Sequence, residues 1–485
     1  MTLLSAQRPR LAIRPLAGLA ACALAVLAGC ADMGRIEPQA VKHDAQQLNA
    51  GKAIADASAD VAWPAQAWWE ALHDEQLNRL VAGAIADSPT LRAAEARVRQ
   101  AEALAGVAKA GTLPRVDASA SMDRELYTAN GAIPAALAGK TAWKNTATLS
   151  GSYDLDLWGR NRDALAAALD DVRMASAESQ MARLTLETAI VRAYIQLSLD
   201  YALQDSVAEN LEQRQRILEI TRQRRAAGLA SEIEVANIET TLPAGRREHE
   251  QIGESIALLR NQLAALIGKG PGDGETIARP TLTLTAGAGQ QVPATLPAEL
   301  LGRRPAIVAQ RWRVEAAGAR IAGAKADFYP NVNLAAFVGL QSLGFPRFFE
   351  SHSKMAGVTP AISLPIFDGG RLRAQLGNQT AIYDVAVEQY NGAVVQAMSD
   401  VANALVRMAS VRQQDELAQR ALASAQRQQQ LAERAYKAGM TDSLNVINAQ
   451  LTLLNERQQM AQVASKQLDN YALLMAALGG GVKLD

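Results

Sequence analysis

The chain is poor in the residues from which active centres and nucleic-acid surfaces are built. It has four histidines, His43, His73, His249 and His352, and none stands at metal-ligand or catalytic spacing. His249 lies on a long polar stretch and reads as a surface residue. No glycine-rich phosphate loop precedes a helix, and acidic pairs such as Asp170-Asp171 fall in helical stretches, where a solvated face is the default. These absences predict a protein that is not an enzyme, with no catalytic residue, no metal and no cofactor. Aromatics make up only 4%, too few for base-stacking surfaces. Lys+Arg and Asp+Glu are balanced at 49 each, so no nucleic-acid partner is expected. The two cysteines, Cys22 and Cys30, both fall near the N-terminus.

Helix breakers are also missing over long distances. Arg160–Ala227 contains neither glycine nor proline, and its apolar residues Leu165, Leu169, Val172, Ala182, Leu186, Ala189 and Ala193 keep helical spacing. One helix of that span is roughly 100 Å long, far beyond a globular helix. Such a rod needs a neighbour of similar length. Arg371–Ala438 supplies it, again without proline; Gly377 and Gly392 each cost about 1 kcal/mol relative to alanine without ending a helix.

At the N-terminus, Arg8, Arg10 and Arg14 precede the apolar run Leu16–Ala28, which is too short to span a bilayer and ends at Leu27-Ala28-Gly29-Cys30. Small residues before a cysteine resemble the bacterial lipoprotein processing site. Cleavage there leaves Cys30 as the lipid-bearing mature N-terminus and as its sole cysteine, so no internal disulfide forms. The alternative is an ordinary signal peptide whose cysteine is incidental. Ala31 stands where an aspartate resembles an inner-membrane retention signal, which points to the outer membrane. Residues 31–60 read as an extended polar tail, and Trp63-Pro64 with Trp68-Trp69 as an anchor on something larger.

The period then alternates between helix and strand. Helices are expected over 74–86 and, from Pro89, to about Ala110, with Gly111 and Pro114 ending the second. Val116, Ala118, Ala120 and Met122 alternate with polar residues, as do Ala147, Leu149, Gly151, Tyr153, Leu155 and Leu157. Period two with one apolar and one polar face predicts strands, each about as long as a barrel strand needs to cross a bilayer. After the first rod, Gly228 breaks the chain and Ser231–Ile267 runs back as a helix expected to kink at Pro243. A Gly-, Pro- and Thr-rich stretch follows, with a short strand expected at Thr281–Thr285.

The pattern then repeats. Pro89, Ala93, Arg97, Val98, Lys109 and Pro114 recur without a gap as Pro305, Ala309, Arg313, Val314, Lys325 and Pro330. Alanine richness alone would not place both prolines, Arg, Val and Lys in register, so the chain is internally duplicated. In a second strand pair Val332, Leu334, Ala336, Val338 and Leu340 lie on one face, as do Val358, Pro360, Ile362, Leu364 and Ile366 on the partner. Pro360 and Pro365 are expected to make that partner bulged or irregular near its end. All six phenylalanines lie between Phe328 and Phe367. They fit an interfacial girdle at the ends of membrane strands, or a small aromatic core at a sheet end. Gly439 echoes Gly228, and 442–478 echoes 231–267.

The expected organisation is a signal peptide at 1–29, a lipid-anchored tail at 30–73, a first repeat at 74–267, a linker at 268–295, a second repeat at 296–479 and a tail at 480–485. The first repeat holds a strand hairpin at 115–157, a long helix at 160–227 and a return helix at 231–267. The second holds its hairpin at 331–366, its long helix at 371–438 and its return helix at 442–478. Four strands per chain cannot close a membrane barrel, which needs about eight. Open edges in lipid would leave unpaired backbone groups costing several kcal/mol each, so several chains must share one barrel. The fold class is an α+β membrane protein with a long helical extension.

Three motifs carry a family resemblance. Asp154-Leu155-Asp156-Leu157-Trp158-Gly159-Arg160 resembles the first strand-to-helix junction of the outer-membrane factors, the TolC-like channels, and Leu364–Arg371 is similar to the second. Tyr436-Lys437-Ala438-Gly439 through Val446–Gln450 resembles the second periplasmic tip. With the lipobox and Trp68-Trp69, the chain resembles the NodT-type efflux lipoproteins over nearly its whole mature length. The resemblance implies a homotrimer with a 12-stranded barrel continuous with a periplasmic helical barrel. It also implies docking onto a periplasmic adaptor and an inner-membrane pump, and a passive efflux channel for small toxic molecules. An exit duct for secreted protein and a structural lipoprotein bracing the periplasm are the alternatives.

The tips depart from the family pattern. Asn448 stands where an acidic residue is usual, and Asn445 where some relatives have aspartate. Glu232, Glu234 and Asp442 are instead candidates for an acidic constriction, with hydrogen bonds from Asn237, Asn445 and Asn448 ordering it; acid rings favour cations. Helix capping by Ser231 and Asp442 is the simpler role for any one of them. Gly228, Tyr436 and Gly439 are candidates for tip turns and adaptor contact.

Overall fold

Caps and left-handed glycines set where each element starts and stops. The structure, a computed structural model, describes residues 33–44, 48–49, 51–59, 61–284, 291–293 and 296–482, so Cys30 and the leader lie outside it. In chain order the first elements are α1 (Gly51–Ala57), β1 (Ser58–Ala59), α2 (Glu75–Asp87), α3 (Pro89–Ala110), β2 (Arg115–Leu126) and β3 (Thr141–Asp154). Next come α4 (Arg160–Ala226), α5 (Glu232–Leu266), α6 (Pro271–Glu275), β4 (Val292–Pro293), α7 (Leu296–Arg303) and α8 (Pro305–Ala326). The last are β5 (Asn331–Leu343), β6 (Lys354–Ser363), α9 (Arg371–Lys437) and α10 (Ser443–Ala477).

The duplication is visible in the lengths. Both α3 and α8 have 22 residues, α4 and α9 have 67 each, and α5 and α10 have 35 each. The chain forms two compact units that cut across this repeat. One holds residues through Val41, Gln100–Val172 and Trp312–Glu388; the other holds Lys42–Arg99, Arg173–Arg311 and Gln389 onward.

In the first unit, β2, β3, β5 and β6 form one antiparallel sheet in that order. Adjacent pairs run without interruption, from Arg115↔Ser152 to Leu126↔Thr141 and from Asn331↔Ser363 to Leu340↔Lys354. Of the bulge or irregular end expected near Pro360 and Pro365, no bulge forms at Pro360, which pairs in register with Leu334, but the strand stops at Ser363, short of Pro365. Both hairpins are also shorter than the alternation implied. β3 stops at Asp154 and β6 at Ser363, because the next residues serve the helices. Asp156, at φ 20°, accepts from the backbone N–H groups of Asn161 (3.0 Å) and Arg162 (2.9 Å), and Asp368 accepts from Gly370 (3.0 Å) and Leu372 (2.9 Å). Each aspartate satisfies orphan donors at the start of a long helix. Backbone hydrogen bonds from Leu372 and Gly370 hold the Asp368 carboxyl below its ordinary value. Trp158 stacks on Tyr329 at 4.5 Å and donates to the Pro330 carbonyl, tying the first junction to the end of α8.

In the second unit, the aromatic entry packs as expected. Trp68 and Trp69 are buried, and the Trp68 carbonyl accepts from the Tyr471 hydroxyl at 3.1 Å. They join Leu72, Leu77, Tyr194, Leu197, Leu263 and Leu474 in a core shared by helices of both repeats. The preceding tail is less irregular than its composition implied. It forms α1, with Ile54 buried, and β1 pairs in parallel with β4. The expected strand at Thr281–Thr285 does not form over 281–284, and residue 285 lies outside the described residues. That segment is held instead by hydrogen bonds to side chains and to one backbone carbonyl. Ala278 N donates to Gln76 Oε1 (2.9 Å), Thr281 N to Asp74 Oδ2 (2.8 Å) and Thr283 N to the Leu72 carbonyl (3.1 Å). The return helix α5 continues through Pro243.

Candidate functional site

The hairpin tips of the two repeats are built by one backbone device. Gly228 and Gly439 adopt φ +74° and +72°, which only glycine enters without strain. Gly228 N donates to Arg225 O and Leu229 N to Arg224 O; Gly439 N donates to Tyr436 O and Met440 N to Ala435 O. These are Schellman caps that satisfy the last carbonyls of α4 and α9. The return helices then start on side-chain caps. Ser231 and Glu234 form a reciprocal capping box on α5, and Asp442 accepts from Asn445 N at 3.1 Å on α10.

Below the turns, the two tips share one apolar cluster of Ile217, Leu218, Val235, Ile238, Tyr436 and Val446. Tyr436 is only 3% exposed. Its hydroxyl bonds Thr221 Oγ1 at 3.0 Å, and the Arg224 guanidinium lies over its ring at 4.7 Å while donating to its carbonyl. Tyr436 therefore cements the tip from inside rather than presenting a surface. Sequence reasoning missed Thr221 and Arg224, whose roles depend on a partner more than 200 positions away; no local spacing signals them.

The acids are brought together, each already engaged. Glu232 pairs with Arg225 across the turn, Glu234 accepts from Ser231 N and lies 3.5 Å from Ser443 Oγ of the other tip, and Asp442 accepts from Asn445 Nδ2 at 3.0 Å. Of the three asparagines, Asn445 does order an acid. Asn237 and Asn448 are exposed, and among the described residues their side chains bond no carboxylate. Leu229, Ile233, Met440 and Leu444 are exposed apolar residues around these turns.

The sheet carries the second functional surface. Leu149, Leu334, Val338 and Val358, from three neighbouring strands, all stand exposed on one face. Across the sheet, the opposite face carries Ser119, Thr148 and Ser150, with Ser119 and Thr148 hydrogen-bonded at 2.8 Å. The phenylalanines divide. Phe328 is buried in a small core with Leu372 and Leu376, Phe345 packs on Trp143 near the hairpin loops, and Phe367 is 91% exposed at the junction. Among the described residues, no helix is long and apolar enough to cross a membrane, and no cluster of metal-ligating side chains is present.

A family model described as outer membrane efflux protein matches residues 80–269 and 296–480, one match per repeat. The chain belongs to the outer membrane efflux protein family. It is 45% identical over 359 residues to the fusaric acid resistance protein FusA of Burkholderia cepacia, covering 73% of this chain and 67% of that one. It is 31% identical over 427 residues to the multidrug resistance outer membrane protein MdtP of Escherichia coli K12, covering 86% and 87%. Among solved structures, the outer membrane protein VceC of Vibrio cholerae superposes with a TM-score of 0.82 at 35% identity, over 86% of this chain and all of that one. The outer-membrane channel OprN gives 0.82 at 27% identity. This efflux protein is thus an outer-membrane channel, and its four antiparallel strands are the membrane part.

Proposed function

We propose that this efflux channel is a passive homotrimeric conduit that carries small toxic molecules from the periplasm to the outside. One observation carries the trimer: β2 and β6 each pair on one side only, so a single sheet has two open edges. Three sheets joined edge to edge make a 12-stranded barrel with no open edge, which lipid demands. The names of FusA and MdtP, for fusaric acid and multidrug resistance, support small molecules as cargo. A conduit without an energy source works with a periplasmic adaptor and an inner-membrane pump. The exposed Leu229, Ile233, Met440 and Leu444 around the Gly228 and Gly439 turns suit adaptor contact. Cys30 carries the lipid that anchors the mature chain to the outer membrane, and 30–73 is the anchored tail. Glu232, Glu234 and Asp442, with Asn445, line the periplasmic aperture, and three copies give a cation-favouring ring.

The deciding experiment measures accumulation of a panel of toxic compounds in cells with and without the gene. Higher accumulation in its absence is expected, restored by the intact chain but not by one lacking both strand hairpins. Unchanged accumulation across the panel would sink the reading. For the aperture, Glu234→Gln keeps the capping box, so a changed cation selectivity of the reconstituted channel reports charge rather than lost structure. Unchanged selectivity in the Glu232→Gln/Glu234→Gln double variant would remove the acids from the pore.

A further inference from the structure

The two repeats have the same elements but not the same burial. In the first unit α8 packs on α4. Arg320 pairs with Asp171, Asp327 stands 3.9 Å from Arg160, and a Cβ on Gly323 would lie 3.8 Å from that of Asp163. Ala316 and Ala317 of α8 and Ala167 and Asp170 of α4 are buried. The repeat counterpart of α8 is α3, with Pro89 on Pro305, and that of α4 is α9, with Arg160 on Arg371. There the same positions are bare. Leu104 and Val107, matching Arg320 and Gly323, are 59% and 70% exposed. Asn378, Ala381 and Ile382, matching Ala167, Asp170 and Asp171, are exposed as well.

The sheet shows why. β3 and β5 join the repeats within the chain, and the counterpart of that joint, β6 with β2, can close only between chains. No earlier repeat offers α3 a long helix, and no later one offers α9 a covering helix. We propose that the contact between protomers, which rests on the trimer reading above, copies the internal seam: α3 of one chain packs on α9 of the next. Carrying over the Ser152↔Ala335 register sets Ser363 opposite Ser119 of the next chain. Below the sheet, Val107 meets Ala374, the counterpart of Asp163, and Leu104 meets Ile382. The geometry is kept and the chemistry changes. The internal pair Arg320–Asp171 becomes Leu104 with Ile382, and Asp327 becomes Gly111. Apolar contact without charge is the composition of an interface core. It also makes the two seams non-interchangeable, because an arginine or aspartate of the internal set would be buried unpaired against an apolar partner. The ring therefore closes only with the two repeats alternating.

The test combines Val107→Cys with Ala374→Cys in the full chain, oxidises the membranes and runs the protein unreduced on a denaturing gel. The 3.8 Å at the internal counterpart lies within the roughly 3.5–4.5 Å between the Cβ atoms of a disulfide. Covalent trimers that reductant dissolves are expected, with none from either single variant. Leu104→Arg is expected to favour dissociation of the detergent-solubilised trimer roughly tenfold or more, and adding Ile382→Asp, which recreates the internal ion pair, to restore most of the loss. Light scattering of the native protein separates this seam from the trimer itself. A double-cysteine trimer without covalent adducts, wild-type dissociation in Leu104→Arg, or no rescue by Ile382→Asp would overturn the seam and leave the trimer standing. A monomeric wild-type chain would overturn both.

Discussion

Asp74 offers the sharpest test of how the linker is held on the first repeat. It caps α2 through Leu77 N at 3.0 Å and accepts from the Tyr194 hydroxyl at 3.1 Å. The same carboxylate receives Thr281 N at 2.8 Å and Thr281 Oγ1 at 3.2 Å, and the residue is 4% exposed. In Asp74→Ala the segment 281–284 loses both Thr281 bonds to the acid. At about 1.5 kcal/mol for each hydrogen bond to a charged group, local opening becomes easier by about 3 kcal/mol, roughly a hundredfold rise in the open population. Hydrogen–deuterium exchange of the detergent-solubilised protein reads this directly. Peptides covering Thr281–Leu284 are expected to lose protection, whereas Ala278, held by Gln76, keeps most of its own and serves as an internal control. Unchanged protection at Thr281 would refute the reasoning. pH provides a second arm. Burial raises the Asp74 carboxyl, but hydrogen bonds from the Thr281 and Leu77 backbone and from Tyr194 outweigh it and hold the value below 3.8. The stabilisation is therefore fully present above the ordinary aspartate value and is lost as pH falls through the lower folded value. Thr281 protection at neutral pH is expected to persist on mild acidification and to fade once pH falls below the ordinary aspartate value.

Three further outcomes follow from local geometry. Gly439→Ala meets nothing within 4 Å, so only the left-handed backbone is strained, at about 1 kcal/mol. Gly479→Ala drives a Cβ into the Arg303 carbonyl and is expected to lower the thermal midpoint far more; equal midpoints would contradict the packing described. Tyr436→Phe loses the Thr221 bond at about 1 kcal/mol, whereas Tyr436→Ala empties the tip cluster at about 3–5 kcal/mol. Comparing exchange in peptides around 217–221 distinguishes the two, and equal protection would argue against a buried tip tyrosine. Asp156→Ala removes the cap of α4 and is expected to cost about 1–2 kcal/mol, read as faster exchange at Asn161 and Arg162 with the middle of the helix unaffected.

Much of this protein is local and therefore legible along the chain. The long helices follow from stretches without breakers, and the positions of Gly228 and Gly439 mark their ends because only a glycine enters that backbone freely. The duplication was readable because both prolines and the charged residues between them keep register, and the paired element lengths repeat it. The membrane strands were readable from period two, though their ends were not. Leu155, Leu157, Leu364 and Ile366 extend the alternation, but Asp156 and Asp368 are drawn into capping the next helix. A capping hydrogen bond overrides a period that hydropathy alone would continue.

Three features required the tertiary structure. Thr281 has strand-like neighbours, yet its amide goes to Asp74, a choice no window of sequence contains. Tyr436 carries a tip motif and reads as a contact residue, but partners on the other repeat bury it. The Arg304 Nη1 donor is left without a partner only because residues far apart in the chain pack around it. Sequence by itself determined the periods, the breakers and the repeat, because backbone conformation and side-chain periodicity are local. Which polar groups meet, and which are left without a partner, was decided only by the packing of elements hundreds of positions apart.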